Sequence, residues 1–263
     1  MGKHGSRLRY AYLRAKIDLP LRTRYAIRAL TFATILLCNF DCRAQTGKQF
    51  WAEWQTSYPF ANRYLAENTF NYQTLLSGGE KWTTWSTSPT FEFALTPRIE
   101  LTSEVPLGWT QQTSTVSTFE VSPMAGVRYH ITQGKRLDTR IWARAQSRNL
   151  HHIEADTWEH NGRFRVRGEV WFSINGPNLF TNKLVYSFLD YEEFIVADQQ
   201  VTERFANQRR ARLGLGYRLS YTHRFDLIYT WQYSRDELSA GFTQSDSIIT
   251  LKYKLYLNPA TSP

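Results

Sequence analysis

His151 and His152 stand beside Glu154 and Asp156, a combination of types able to hold a metal ion. On a strand, adjacent residues point to opposite faces, so the histidine pair chelates one ion only if the chain bends. The plainer expectation is a polar surface loop with no metal and no cofactor. His223 with Ser220 or Ser234, and His130 with Ser122, are the possible Ser/His pairs. Nucleophilic catalysis needs hydroxyl and imidazole in hydrogen-bond contact, with a third group to orient the imidazole. Parity alone supplies neither, so no catalytic residue is assigned. Gly214 and Gly216 (LGLGY) precede no helix and form no phosphate loop. Glycines at alternate positions instead admit a bulky neighbour or ease curvature. Arg209-Arg210 with Arg212 could anchor a phosphate-bearing lipid, although a salt-bridged strand end explains them more simply.

The most regular charges lie on single faces of strands. Arg140, Arg144 and Arg148 share one parity, and Arg163, Arg165, Arg167 and Glu169 share another. Glu100, Glu104, Glu120, Arg128, Arg212 and Arg218 extend the set. On the open face of a soluble sandwich such residues are ordinary. Inside a closed barrel they line a lumen, as paired charges or as a polar pore.

The positioning elements follow from a period of two. Phe119, Val121, Pro123, Ala125, Val127, Tyr129 and Ile131 alternate with Glu120, Ser122, Met124, Gly126, Arg128 and His130. The same two-faced pattern recurs from Arg163, Arg212, Asp226 and Ile249. No 3.6-residue stripe competes, so the body is all-β. Eleven spans read as strands: 51–58, 64–75, 82–95, 98–109, 117–131, 137–152, 162–173, 183–195, 204–219, 223–236 and 245–257. Most reach the nine to eleven or so residues that cross a bilayer as a strand. From Thr96 onward, tight turns alternate with longer connections, including Ile153 to Asn161, as in outer-membrane barrels. Single-chain bacterial barrels usually have an even strand number. The expectation is therefore a closed antiparallel up-and-down transmembrane β-barrel of ten or twelve strands: either the short 51–58 segment does not span, or one further strand escapes the pattern. Trp109, Tyr129, Tyr217 and Tyr256 suit girdles at the water–lipid interfaces.

The chain has 263 residues and a formal net charge of +9, but the charge is unevenly placed. Residues 1–45 hold nine Lys/Arg and two acids, leaving 23 Lys/Arg against 21 acids in the remainder. A polyanion binder would keep its basic excess in the folded body, so nucleic acid is not an expected partner. Arg22, Arg24 and Arg28 precede an uncharged run, Ala29 to Phe40, then Asp41 to Gln45. These are the parts of a secretory signal peptide, expected to be removed after Ala44 or Gln45. Both cysteines, Cys38 and Cys42, lie in this leader, which excludes a disulfide scaffold for residues 46–263, read as one barrel domain.

Phe50-Trp51-Ala52-Glu53, Tyr58 to Tyr64 (YPFANRY), Tyr191-Glu192-Glu193-Phe194 and Glu203 to Tyr217 (ERFANQRRARLGLGY) resemble the outer-membrane-barrel family catalogued as domain of unknown function 2490. The resemblance implies a Gram-negative outer-membrane barrel and carries over no catalytic residue. Its expected partners are outer-membrane lipids and, during insertion, the barrel-assembly machinery. The expected role is a narrow channel, binding or structural barrel without chemistry. A barrel-embedded lipid hydrolase or deacylase and a soluble periplasmic β-sandwich binding protein are the alternatives. The sandwich places the valine–leucine row inside and the arginine row outside.

Overall fold

The computed structural model describes residues 47–77, 81–113, 116–196, 208–234 and 243–257, and all regular structure among them is β. The expected leader and its cleavage point lie outside the described residues. The strands are β1 (Gly47–Phe60), β2 (Tyr64–Ser77), β3 (Thr83–Ala94), β4 (Ile99–Glu104), β5 (Leu107–Gln111), β6 (Ser117–Val121), β7 (Met124–Thr132), β8 (Leu137–His152), β9 (Thr157–Ser173), β10 (Leu184–Val196), β11 (Gln208–Arg218), β12 (His223–Ser234) and β13 (Thr243–Tyr256). Alternation of branched or aromatic residues with charged ones keeps each chain extended, since both faces then find a suitable environment.

β4 and β5 continue one line with a break at Val105-Pro106, and β6 and β7 another with a break at Ser122-Pro123. The register is unchanged across the first break, with Thr90 opposite Glu104 and Thr87 opposite Leu107. Thirteen strands therefore make eleven staves, closed into a barrel. Neighbouring staves pair antiparallel, except that β1 pairs parallel with β13, from Gly47 opposite Asp246 to Ser57 opposite Tyr256. The expectation of ten or twelve wholly antiparallel strands is corrected here. In an odd meander the first and last staves run in the same direction, so only a parallel pair can close it. The segment containing 51–58 is a full stave, paired on both edges.

One end of the barrel carries the turns 61–63, 95–98, 133–136 and 219–222, together with the ten-residue connection 174–183. At the other end, the expected loop at 153–161 is only the turn 153–156. Asp156 takes the left-handed conformation (φ 49°) and β9 begins at once. The contrast between tight and long connections is correspondingly weaker than the sequence suggests. Connections 197–207 and 235–242 lie outside the described residues.

The two faces of the staves differ as the alternation requires. Val127, Val166, Val170, Leu215, Leu227 and Leu251 face outward and are exposed, Leu227 to 51%. Val121, Leu213, Tyr229 and Tyr253 share their parity and are half-buried. Among the described residues, ten buried side chains are hydrophobic and twenty-six are polar or charged, the reverse of a soluble core. Exposed Trp85, Trp109, Trp158 and Tyr191 lie toward one end of the outer face, with Tyr58, Tyr129, Tyr217 and Phe225 toward the other. Tyr256, expected in the outer girdle, is instead on the inner parity. It sits beneath Arg224, whose guanidinium carbon is 4.1 Å from the ring centre.

Candidate functional site

The barrel interior is organised around one carboxylate. The inner row of β10 runs Leu184, Tyr186, Phe188, Asp190, Glu192, Phe194. The Glu192 side chain is 1% exposed and meets Arg144 at 2.5 Å, Arg165 at 2.9 Å and Arg167 at 2.9 Å. Arg144 also approaches Glu104 at 3.5 Å. The β8 register stacks Trp142 beneath three guanidinium groups, with Arg144 at 3.8 Å, Arg128 at 4.4 Å and Arg167 at 5.2 Å from its ring centre. Its indole N–H donates to Thr102 (3.1 Å), fixing the edge of the ring.

The other expected lumen charges join this network or lie in pairs beside it. Arg128 grips Glu92 with two parallel bonds (2.9 and 3.0 Å) and Glu100 with a third at 2.7 Å, a fork geometry that lysine cannot reproduce. His130 lies 3.2 Å from Glu100. Arg140 and Arg167 share Glu169. Arg148 pairs with Glu120 at 3.0 Å, and Arg212 with Asp190 at 2.7 Å. Arg218 is set apart toward the tight-turn end, where it donates to the Leu179 carbonyl (2.8 Å). All twelve expected lumen charges thus lie on the inner parity. Sequence reasoning passed over Glu192, Glu92, Asp190 and Trp142. The two-residue period of β10 carried the signal for Glu192 and Asp190, but its inner row begins with three apolar residues, which hides it.

Those apolar residues form a second layer. Leu184, Tyr186, Phe188 and Ile228 are buried together, and Trp171 stacks on Phe188 with ring centres 4.3 Å apart. A Cβ at Gly214 would collide with the Phe188 ring, and one at Gly216 with Tyr186. The alternate glycines of β11 therefore give these two rings their seats. Tyr186 donates its hydroxyl hydrogen to Asp226, which also pairs with Lys254 at 2.9 Å. Lys254 in turn lies 5.4 Å from the Trp171 ring centre, joining β13 to β9 across the three staves between them. Side chains thus bridge the interior from wall to wall at this level. A recess of about 200 Å³ opens at the tight-turn mouth, lined by Arg63, Tyr64, Glu92, Glu100 and Tyr221 among others.

The other reactive types are dispersed. Ser122 donates to Glu120 rather than to His130. The eight residue steps from Ser122 to His130 span roughly 26 Å of strand. The His223 imidazole contacts the Tyr253 hydroxyl (2.7 Å), while Ser220 accepts the His223 backbone N–H (3.2 Å). His151 lies against Asp156 (3.0 Å) and stacks on Trp158, whereas His152 lies toward Glu159 at 3.7 Å. Glu154 accepts the Ser117 backbone N–H at 2.6 Å, and that bond holds its carboxyl below the usual range. Among the described residues, no group of three or more His, Cys, Asp or Glu could hold a metal ion. Arg209 and Arg210 separate by parity. Arg209 pairs with Glu193 at 2.8 Å, while Arg210 turns in to Gln232 (2.8 Å) and Gln208 (3.1 Å).

No curated protein matches the chain. A family model described as protein of unknown function (DUF2490) matches residues 48–239, most of the barrel and well over half the sequence, and the chain belongs to that family.

Proposed function

We propose that the protein is an outer-membrane barrel of a Gram-negative bacterium, exported by its leader, whose interior is closed by ion pairs and which acts without chemistry as a structural or binding barrel. The observation that carries this reading is the inversion of polarity. Leu215, Leu227 and Leu251 are displayed outward while Arg144, Arg165 and Glu192 are buried. An arginine facing lipid at mid-membrane is unfavourable by about 2–4 kcal/mol, whereas an outward leucine is at home there. Aromatic side chains toward both ends of the outer face add support, since Trp and Tyr favour water–lipid interfaces. Arginines interleaved with carboxylates, and the bridge from Lys254 to Trp171, support an occluded interior over a freely conducting channel.

Fractionation with heat-modifiable gel migration tests the location: recovery in the outer-membrane fraction with a heat shift is expected, and a soluble periplasmic protein without one contradicts it. Conductance of the refolded protein in planar bilayers tests the closure, and steady open-channel current overturns it. Deacylase turnover that disappears in His223→Ala or His130→Ala overturns the reading that no chemistry occurs.

A further inference from the structure

Three prolines interrupt one side of the wall at a common level. Pro89 lies in β3, Pro106 between β4 and β5, and Pro123 between β6 and β7, on three successive staves. The residues opposite still donate: Val105 N–H to the Pro89 carbonyl at 3.0 Å, Ser122 to Pro106 at 2.9 Å, and Ser147 to Pro123 at 3.0 Å. A hydrogen-bonded antiparallel pair exchanges two bonds, but proline has no N–H and returns none. The carbonyls of Val105, Ser122 and Ser147 thus lack their ladder donors along three adjoining stave interfaces. Central strands ordinarily exclude proline for this reason. Staves β8 to β13 contain none.

Both sides of this seam are unusual. Outside, Pro89, Ser103, Val105, Pro123, Ala125 and Ser147 make a shallow strip of small exposed residues, where the opposite wall shows Leu189, Leu215, Leu227 and Leu251. Inside, Met124 follows Pro123 directly. Arg144 points Nη1 at the Met124 sulfur (3.5 Å), and Arg165 does so at 4.0 Å. Arg144 is 5% exposed, and its Nε has no partner among the described residues. A thioether is a weak acceptor on a flexible side chain, so two buried guanidinium groups keep donor capacity behind a movable cover. Glu192 is already shared by three arginines, which favours a further anion at this point.

We propose that the proline seam is a lateral port. Through it the anionic head of a single-chain amphiphile reaches Arg144 and Arg165 past Met124, while the chain lies along the strip of small residues. The proposal rests on the outer-membrane reading. The test uses the full chain refolded in phosphatidylcholine vesicles with palmitate carrying a diazirine beside the carboxylate, adducts being mapped by mass spectrometry after irradiation. Adducts are expected at Met124 and at the lipid-facing Leu215. The same chain with a trimethylammonium head should label Leu215 alone. Joint Pro106→Ala and Pro123→Ala substitutions restore two donors and should abolish the Met124 adduct while sparing Leu215. Val105→Trp, which fills the strip from outside, should do the same. Met124 labelling that is absent, equal for both heads, or unchanged in both variants overturns the port while Leu215 labelling upholds the membrane reading. Loss of Leu215 labelling as well overturns both.

Discussion

Two layers fill the barrel, and β10 passes through both within eleven residues. Toward the tight-turn end, Tyr186 and Phe188 sit over glycines and against Trp171, held by shape. A few residues along, Asp190 and Glu192 sit among arginines, held by charge compensation. Burial is nearly equal in the two layers, yet they fail differently. An aromatic seat loses contacts in proportion to the misfit, whereas removing one shared acid leaves several buried cations uncompensated at once.

The largest effect is therefore expected at Glu192. Glu192→Gln should lower the free energy of unfolding by about 3–5 kcal/mol, the range for breaking a buried ion pair from one side. Urea unfolding of the protein in vesicles measures it, and a loss below about 1 kcal/mol would show that the network is not compensated through this residue. In the aromatic layer, Gly214→Val should cost about 1–3 kcal/mol by overpacking against Phe188. Phe188→Ala in that background should recover part of the loss. Simple additivity of the two changes in a double-mutant cycle would deny the contact.

The neighbouring Glu193 sharpens the comparison. One residue along the strand, it faces outward and pairs with Arg209, both partners being about a third exposed. Glu193→Gln should cost no more than about 1 kcal/mol, the ordinary worth of an exposed pair. A cost as large as that of Glu192→Gln would mean that facing does not govern these charges. The smallest effect belongs to Glu154 in the turn between β8 and β9. Its carboxyl is held below the usual range by the Ser117 N–H. A depressed folded value means that the stabilisation is present above the unfolded value near 4.5 and is lost as pH falls through the folded one. Protection of the Ser117 amide from hydrogen exchange should fall on that acid side in the native chain and be flat with pH in Glu154→Gln.

The facing of Arg140, Arg144 and Arg148 was legible in the sequence because a strand alternates sides and four-residue spacing preserves the side. All eleven staves were legible as spans for the same reason, and 137–152 matches β8 end to end. The strand number went astray at a non-local step. Whether Gly47–Phe60 meets Thr243–Tyr256 in parallel is decided by closure, which no local pattern encodes. Glu192 escaped because Glu192 and Glu193 are alike in type, and only the register of β10 assigns one to each face. Tyr256 was misplaced for a related reason: a tyrosine near a strand end suits an interface or an interior, and parity decides. The turn at 153–156 was read as a long loop because Trp158 is the one apolar side chain from Thr157 to Gly162, too few to show an alternation.

The central claim is that the valine–leucine row meets lipid while the arginine row is enclosed. A spin label at Leu215→Cys, in a chain with Cys38 and Cys42 changed to serine and reconstituted in vesicles, tests it most directly. The account predicts strong relaxation by dissolved oxygen, which concentrates in the bilayer, and little by a water-soluble nickel chelate. The opposite ranking would place this face in water and contradict the account.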